Sequence, residues 1–309
     1  MTLLASAAYD PATAVASAVT TSPIAMTALD TSNLRLTPTV PASGIAVVRA
    51  RVTHSGSTTP GPVLLGVLEG STVVLRMCPA GIGQTALTAN AANEEALEMY
   101  GIITGASPGS HTYDLAYDVE VASGAGGALK WGGPNNNSGA NAWGAATFEI
   151  YDPGAAFLAG KTYDPSTAVT KFMGSGLFAM TAFDIANLRL TFTSPASNKV
   201  FWRIRCVLTG ANTSPLPAPL LGILESTTVV ARQAPCITNQ GAGATTNPYW
   251  LLDASGIVSG LSAGSHSWDA AFGNQLVGGS ANYAIKYGGP NDNTANTAWG
   301  GFLFEIMAM

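Results

Sequence analysis

The chain matches itself at a shift of about 155 residues, and this self-similarity restricts the possible folds more than any single motif, because each copy must bury its own apolar face. Tyr9-Asp10-Pro11 returns as Tyr163-Asp164-Pro165, and Leu4-Ala5 returns as Leu158-Ala159, an offset of 154. Between 23–41 and 177–195, 12 of 19 positions are identical, among them Asn33-Leu34-Arg35-Leu36-Thr37 and Asn187-Leu188-Arg189-Leu190-Thr191. From Leu64-Leu65-Gly66 and Leu220-Leu221-Gly222 the offset grows to 156, a gain of two residues in the preceding loop, where insertions are tolerated. Gly109-Ser110-His111 meets Gly264-Ser265-His266, Gly132-Gly133-Pro134-Asn135 meets Gly288-Gly289-Pro290-Asn291, and both copies close on Trp-Gly and Phe-Glu-Ile. The repeat divides the 309 residues into domains 1–153 and 154–309, with the boundary near Pro153 and Gly154.

Within each copy the apolar period is two, the period of a strand with one buried face. Ala46, Val48, Ala50 and Val52 alternate with Val47, Arg49 and Arg51; Val200, Trp202, Ile204 and Cys206 alternate with Phe201, Arg203 and Arg205. A second strand carries Tyr113, Leu115 and Tyr117 on one side and Asp114 and Asp118 on the other, matched by His266, Trp268, Ala270 and Phe272. Ser/Thr/Gly/Pro loops such as 55–62 and 209–219 separate the strands. The one helical candidate is Asn90 to Tyr100, with Glu94, Glu95 and Glu98, which reads as an insertion lacking a counterpart near 245–252. The fold class expected is all-β: two tandem jelly-roll β-sandwich domains related by internal duplication.

Composition removes several functions. Charged residues form 10% of the chain against about 25% in an ordinary soluble domain, so much of the outer surface is expected to lie against other subunits. A net charge of −5 without any Lys/Arg cluster speaks against nucleic acid as a partner. Apolar runs such as Val63 to Leu68 end at charges long before bilayer length, so no membrane span is expected. The first residues lack a basic segment and belong to the repeat, which argues against a signal peptide. Cys78, Cys206 and Cys236 have neither disulfide-framework nor metal spacing, in keeping with folding in a reducing compartment.

The paired Asn-Leu-Arg-Leu-Thr segments with Pro-Ala-Ser at 41–43 and 195–197, the Gly-Ser-His strand openings, and the Gly-Gly-Pro-Asn and Phe-Glu-Ile endings carry a resemblance. The chain resembles, twice over and across almost its whole length, the C1q/TNF-like jelly-roll domains in structural proteins of tailed bacteriophages, especially head-decoration (cement) and fibre proteins. That resemblance implies a virion component on the capsid surface, made in the host cytoplasm. Its implied partners are the phage major capsid protein or other virion subunits, and its implied state is a homo-oligomer such as a trimer, without catalysis. The chain departs from fibres in having no long coiled-coil or triple-stranded anchor, which favours the compact capsid-surface type.

Candidate sites are few. His111 and His266 could serve acid–base chemistry, but no nucleophile repeats beside them and closing a turn is the simpler role. Asp10, Asp30 and Asp114, repeated as Asp164, Asp184 and Asp269, read as turn caps before they read as paired catalytic carboxylates. Glu149 and Glu305 alternate with apolar neighbours and should point outward from the last strand, solvated or at an interface. The most interesting polar clusters are Asn135-Asn136-Asn137 and Asn291-Asp292-Asn293, whose oxygens could take Ca²⁺ or sugar hydroxyls. Trp131, Tyr287, Trp143 and Trp299 stand nearby to stack on a glycan, against the plainer reading of tight turns and core aromatics. No cofactor and no structural metal are expected, and Cys206 should be a buried small apolar residue.

Overall fold

The computed structural model describes residues 1–19, 25–56, 63–84, 93–119, 127–134, 142–173, 179–210, 219–240, 249–274, 283–289 and 298–309. The sequence repeat becomes two matching sets of strands. In residues 1–153 the principal strands are β1 (Thr2–Tyr9), β2 (Arg35–Leu36), β3 (Ala46–Gly56), β4 (Val63–Glu69), β5 (Thr72–Met77), β6 (Asn93–Ile103), β7 (Tyr113–Val119) and β8 (Ala146–Asp152). Their partners eight places on are β9 (Phe157–Tyr163), β10 (Arg189–Thr193), β11 (Lys199–Gly210), β12 (Pro219–Glu225), β13 (Thr228–Gln233), β14 (Tyr249–Ser259), β15 (Ser265–Asn274) and β16 (Phe302–Ala308).

All pairings among the described strands are antiparallel, and each joins strands of the same half. One sheet runs β1-β8-β3-β6 and the other β2-β7-β4-β5; the second half repeats this as β9-β16-β11-β14 and β10-β15-β12-β13. First strand beside last, with sequence neighbours in opposite sheets except for the hairpins β4–β5 and β12–β13, is the double Greek key of a jelly roll. Ala80–Gln84 extends the first sheet beyond β6, and Cys236–Gln240 extends its counterpart beyond β14. The chain turns between β8 and β9 at Gly154, which has φ +70°; its N–H donates to Asp152 Oδ1 at 2.8 Å.

Period-two alternation places the cores where the strand pattern predicts. Ala46, Val48, Ala50 and Val52 are sealed against Leu115, Phe148 and Trp131, while Val200, Trp202, Ile204 and Cys206 join Trp268, Phe302, Phe304 and Tyr287. Asp114 and Asp118 are also buried, so the β7 face opposite Tyr113 is covered rather than solvated.

The helical candidate at Asn90 to Tyr100 is a strand. Glutamate and alanine there favour a helix locally, but Leu97 and Met99 reach the core at strand spacing. The backbone of β6 pairs with β3 along its whole length and with Ala80–Gln84 along part of it. It is no insertion either, since β14 pairs with β11 and with Cys236–Gln240 in the same manner.

Candidate functional site

Most of the repeated polar residues are engaged in structural pairs at equivalent places. Asp30 accepts the N–H groups of Ser32 and Asn33 at 2.9 and 3.0 Å, and Asp184 accepts that of Asn187 at 3.1 Å; each also takes the amide of Asn33 or Asn187 at 2.9 Å. This Asx turn delivers the next residues in register: Leu34 and Leu188 to the cores, and Arg35 and Arg189 to two-pronged pairs with Asp114 and Asp269. The turn-cap reading therefore fits Asp30 and Asp184, whereas Asp114 and Asp269 sit mid-strand as ion-pair partners. His111 joins Glu69 (2.8 Å) to the carbonyl of Ser107 (2.7 Å), and His266 joins Glu225 to the carbonyl of Ser262 (both 3.0 Å). With an acceptor at each ring nitrogen the charged imidazole is favoured; the carbonyl contact and the glutamate raise both histidines above their ordinary value.

The clusters Asn135-Asn136-Asn137 and Asn291-Asp292-Asn293 lie outside the described residues. The aromatics expected to assist them are placed. Trp131 and Tyr287 occupy equivalent positions, 1% and 0% exposed, so they fill the two cores and offer no ring to a ligand. The alternation at Gly127–Trp131 and Tyr283–Tyr287 turns them inward. Trp143 and Trp299 lie beneath Lys130 and Lys286, ammonium to ring centroid 4.4 and 4.1 Å, a cation–π contact that covers one face of each ring. Gly132 and Gly288 hold these segments at φ +72° and +76°, packed so closely on Pro11 and Pro165 that a Cβ would collide.

Among the described residues an extensive polar assembly forms the seam between the halves, and sequence reading missed it. Arg76, fully buried on β5, donates through Nη2 to Asp164 Oδ1 and to the carbonyl of Gly289, both at 3.0 Å, with Asp118 at 3.8 Å. Gly301 donates its N–H to the Arg76 carbonyl at 2.7 Å, and Ile102 on β6 donates its N–H to Thr162 Oγ1 at 2.9 Å. Tyr100 inserts between charges, donating to Glu305 Oε2 at 2.7 Å beneath the guanidinium groups of Arg203 and Arg205, at 4.9 and 5.9 Å from its ring. Burial and the neighbouring Glu305 push the Tyr100 hydroxyl far up, which keeps it a donor. Burial raises Glu305 as well, while Arg203 and Arg205 overcome burial to hold Asp253 below the usual carboxylate range. Leu64, Cys78, Val207, Leu251, Ala298 and Trp299 form the apolar part. The outward direction expected of Glu305 is thus correct, and the place it points to is this seam.

A signal for Arg76 was present: it is the only charge in the apolar run Val73 to Met77, and it recurs as Arg232. No protein-family model matches the chain, and a search of curated proteins returned no match. Among solved structures, 98% of the chain aligns with 74% of a chain in the structure of infectious bursal disease virus Gx strain, at 13% identity and a TM-score of 0.25. A second alignment, to the crystal structure of the infectious bursal disease virus VP2 subviral particle, covers 99% of this chain and 81% of that one at 12% identity and a TM-score of 0.20. At such scores the likeness decides neither family nor function. The class that the strands themselves define is the all-β antiparallel jelly-roll sandwich.

Proposed function

We propose that the protein is a non-enzymatic structural component of a virion, a capsid decoration or cement protein that binds the outer capsid surface and stabilises it. The observation that carries this reading is the contrast between its polar and apolar groups. The repeated histidines and most of the repeated acids are tied into structural pairs, while Phe172, Ile185, Ile237 and Ile257 stand 67%, 53%, 51% and 60% exposed in a chain with few charges. Exposed apolar side chains on a charge-poor surface fit a protein that functions against other subunits. The resemblance to phage head-decoration proteins supplies the partner class, a major capsid protein or another virion subunit.

The division into domains 1–153 and 154–309 by duplication belongs to the same proposal. Two similar modules on one chain raise the effective concentration of the second contact, so modest patches can give lasting attachment. The test is immunogold electron microscopy of particles from producing cells, with sedimentation of the same material. The proposal predicts label on the particle exterior and the chain in the particle fraction; a chain found only in the soluble fraction, with bare particles, contradicts it.

A further inference from the structure

The seam is head-to-tail, so each half has one donating face and one accepting face, and the chain uses only one of each. Register fixes the equivalences. Glu305 stands opposite Arg203 as Glu149 stands opposite Arg49; Tyr100 lies opposite Arg49 and Ser255 opposite Arg203; Ile102 lies opposite Val47 and Ile257 opposite Phe201. Arg76 lies opposite Gly66 and Arg232 opposite Gly222.

The donating face is covered in the first half and open in the second. Arg76 and Ile102 are 0% and 1% exposed, whereas Arg232 is exposed and Ile257 is 60% exposed. Among the described residues no strand pairs with β14 beyond Asp253 on the side away from β11, so a sheet edge is open there too. The accepting face shows the opposite. Arg205 and Glu305 are buried and the Asp164 side chain is 13% exposed, while their counterparts Arg51 and Asp10 are exposed and Glu149 is only half-buried. A Cβ on Gly300 would strike the backbone of Met77 and Cys78, but one on Gly144 would meet open space. Where Tyr100 fills the space beside Arg203, Arg205 and Glu305, the first half has a depression of about 240 Å³ lined by Arg49, Arg51, Glu98, Thr147 and Glu149.

We propose that the open donating face of residues 154–309 seats on the open accepting face of residues 1–153 in a second copy of this chain, with Arg232 taking Asp10 and the Gly133 carbonyl as Arg76 takes Asp164 and Gly289. The seam inside the chain shows what covers such a face. The arginine occurs in both donating faces and the aspartate in both accepting faces, although the chain itself joins only one pair. A heterologous contact of this kind builds a ring where the rotation closes and a filament where it does not. Ser255 replaces Tyr100 and Ala145 replaces Gly301, so the contact between chains is looser than the one within and dissociates on dilution. This inference rests on the seam alone and is independent of the virion reading.

The experiment is light scattering with sedimentation over a dilution series of the full chain, using circular dichroism to confirm the fold of each variant. The intact chain is expected to exceed the mass of one copy at high concentration. Arg232→Asp and Asp10→Arg should each weaken association by about tenfold or more, and mixing the two should restore it, because each variant keeps one intact face. Ser255→Tyr should tighten association by supplying the missing ring to the depression beside Glu149. The proposal is overturned if both the intact chain and Ser255→Tyr keep the mass of a single copy throughout, or if both charge reversals leave the assembly unchanged.

Discussion

At the scale of single residues, the two halves answer chemical questions by comparison. His54 is buried at 2% exposure; burial and then the Lys130 charge lower it to about 4, while the equivalent position is the apolar Leu208. A histidine depressed in the folded state keeps its full contribution above its ordinary value near 6.5, and stability is lost as pH falls toward 4. His54→Leu is therefore expected to gain about 2 kcal/mol relative to the native chain between pH 7 and pH 5, read from denaturant midpoints at the two pH values. His111 and His266 behave oppositely. Their raised values mean that stability is fully present below pH 6.5 and fades as pH rises through the folded-state value. NMR titration should show Glu69→Gln lowering the His111 midpoint while leaving His266 unmoved; an unmoved His111 would remove the pairing.

At the scale of elements, alternation made most strands legible, because Val/Ala/Arg and Trp/Ile/Arg patterns at 46–52 and 200–206 can bury one face only as strands. β6 was not legible. Its glutamates and alanines belong to a helical composition, and what makes it a strand is pairing with β3 across the long separation from 46–56. The histidine turns and the Asn-Leu-Arg-Leu segments could be located but not decoded, since their partners Glu69, Asp114, Glu225 and Asp269 lie on other strands. The glycine turns before the last strands give a paired test. Gly144 and Gly300 share a φ of +74°, so alanine at either position carries about 1–2 kcal/mol of left-handed strain. Gly300→Ala additionally pushes a Cβ against Met77 and Cys78, so it should lower the melting temperature more than Gly144→Ala does. Equal losses would contradict the packing of the seam.

At the scale of the whole molecule, the repeat announced two similar units, but nothing in one copy's sequence states which of its faces the other copy covers. That information is relational: Arg76 and Arg232 are the same residue type, and only the placement of β9 beside β5 and β6 distinguishes them. Asp164 shows the cost of the arrangement, since its burial outweighs Arg76 and raises the carboxyl. A buried pair contributes little net stability but is expensive to break. Arg76→Ala should therefore destabilise the chain by about 3–5 kcal/mol, whereas Arg76→Met combined with Asp164→Leu should recover part of that loss in urea unfolding, the buried Asp118 carboxylate 3.8 Å from Arg76 being left without this cation. Failure of the double substitution to recover any stability would show that the pair's own attraction dominates.

Assembly depends on one face being covered in the first half and open in the second, and backbone amides report this without a partner protein. In the Arg232→Asp chain, kept dissociated, the Ile102 N–H bonded to Thr162 should exchange with deuterium far more slowly than the Ile257 N–H at the matching position of β14. Similar exchange rates for the two amides would contradict the seam, and with it the assembly built on it.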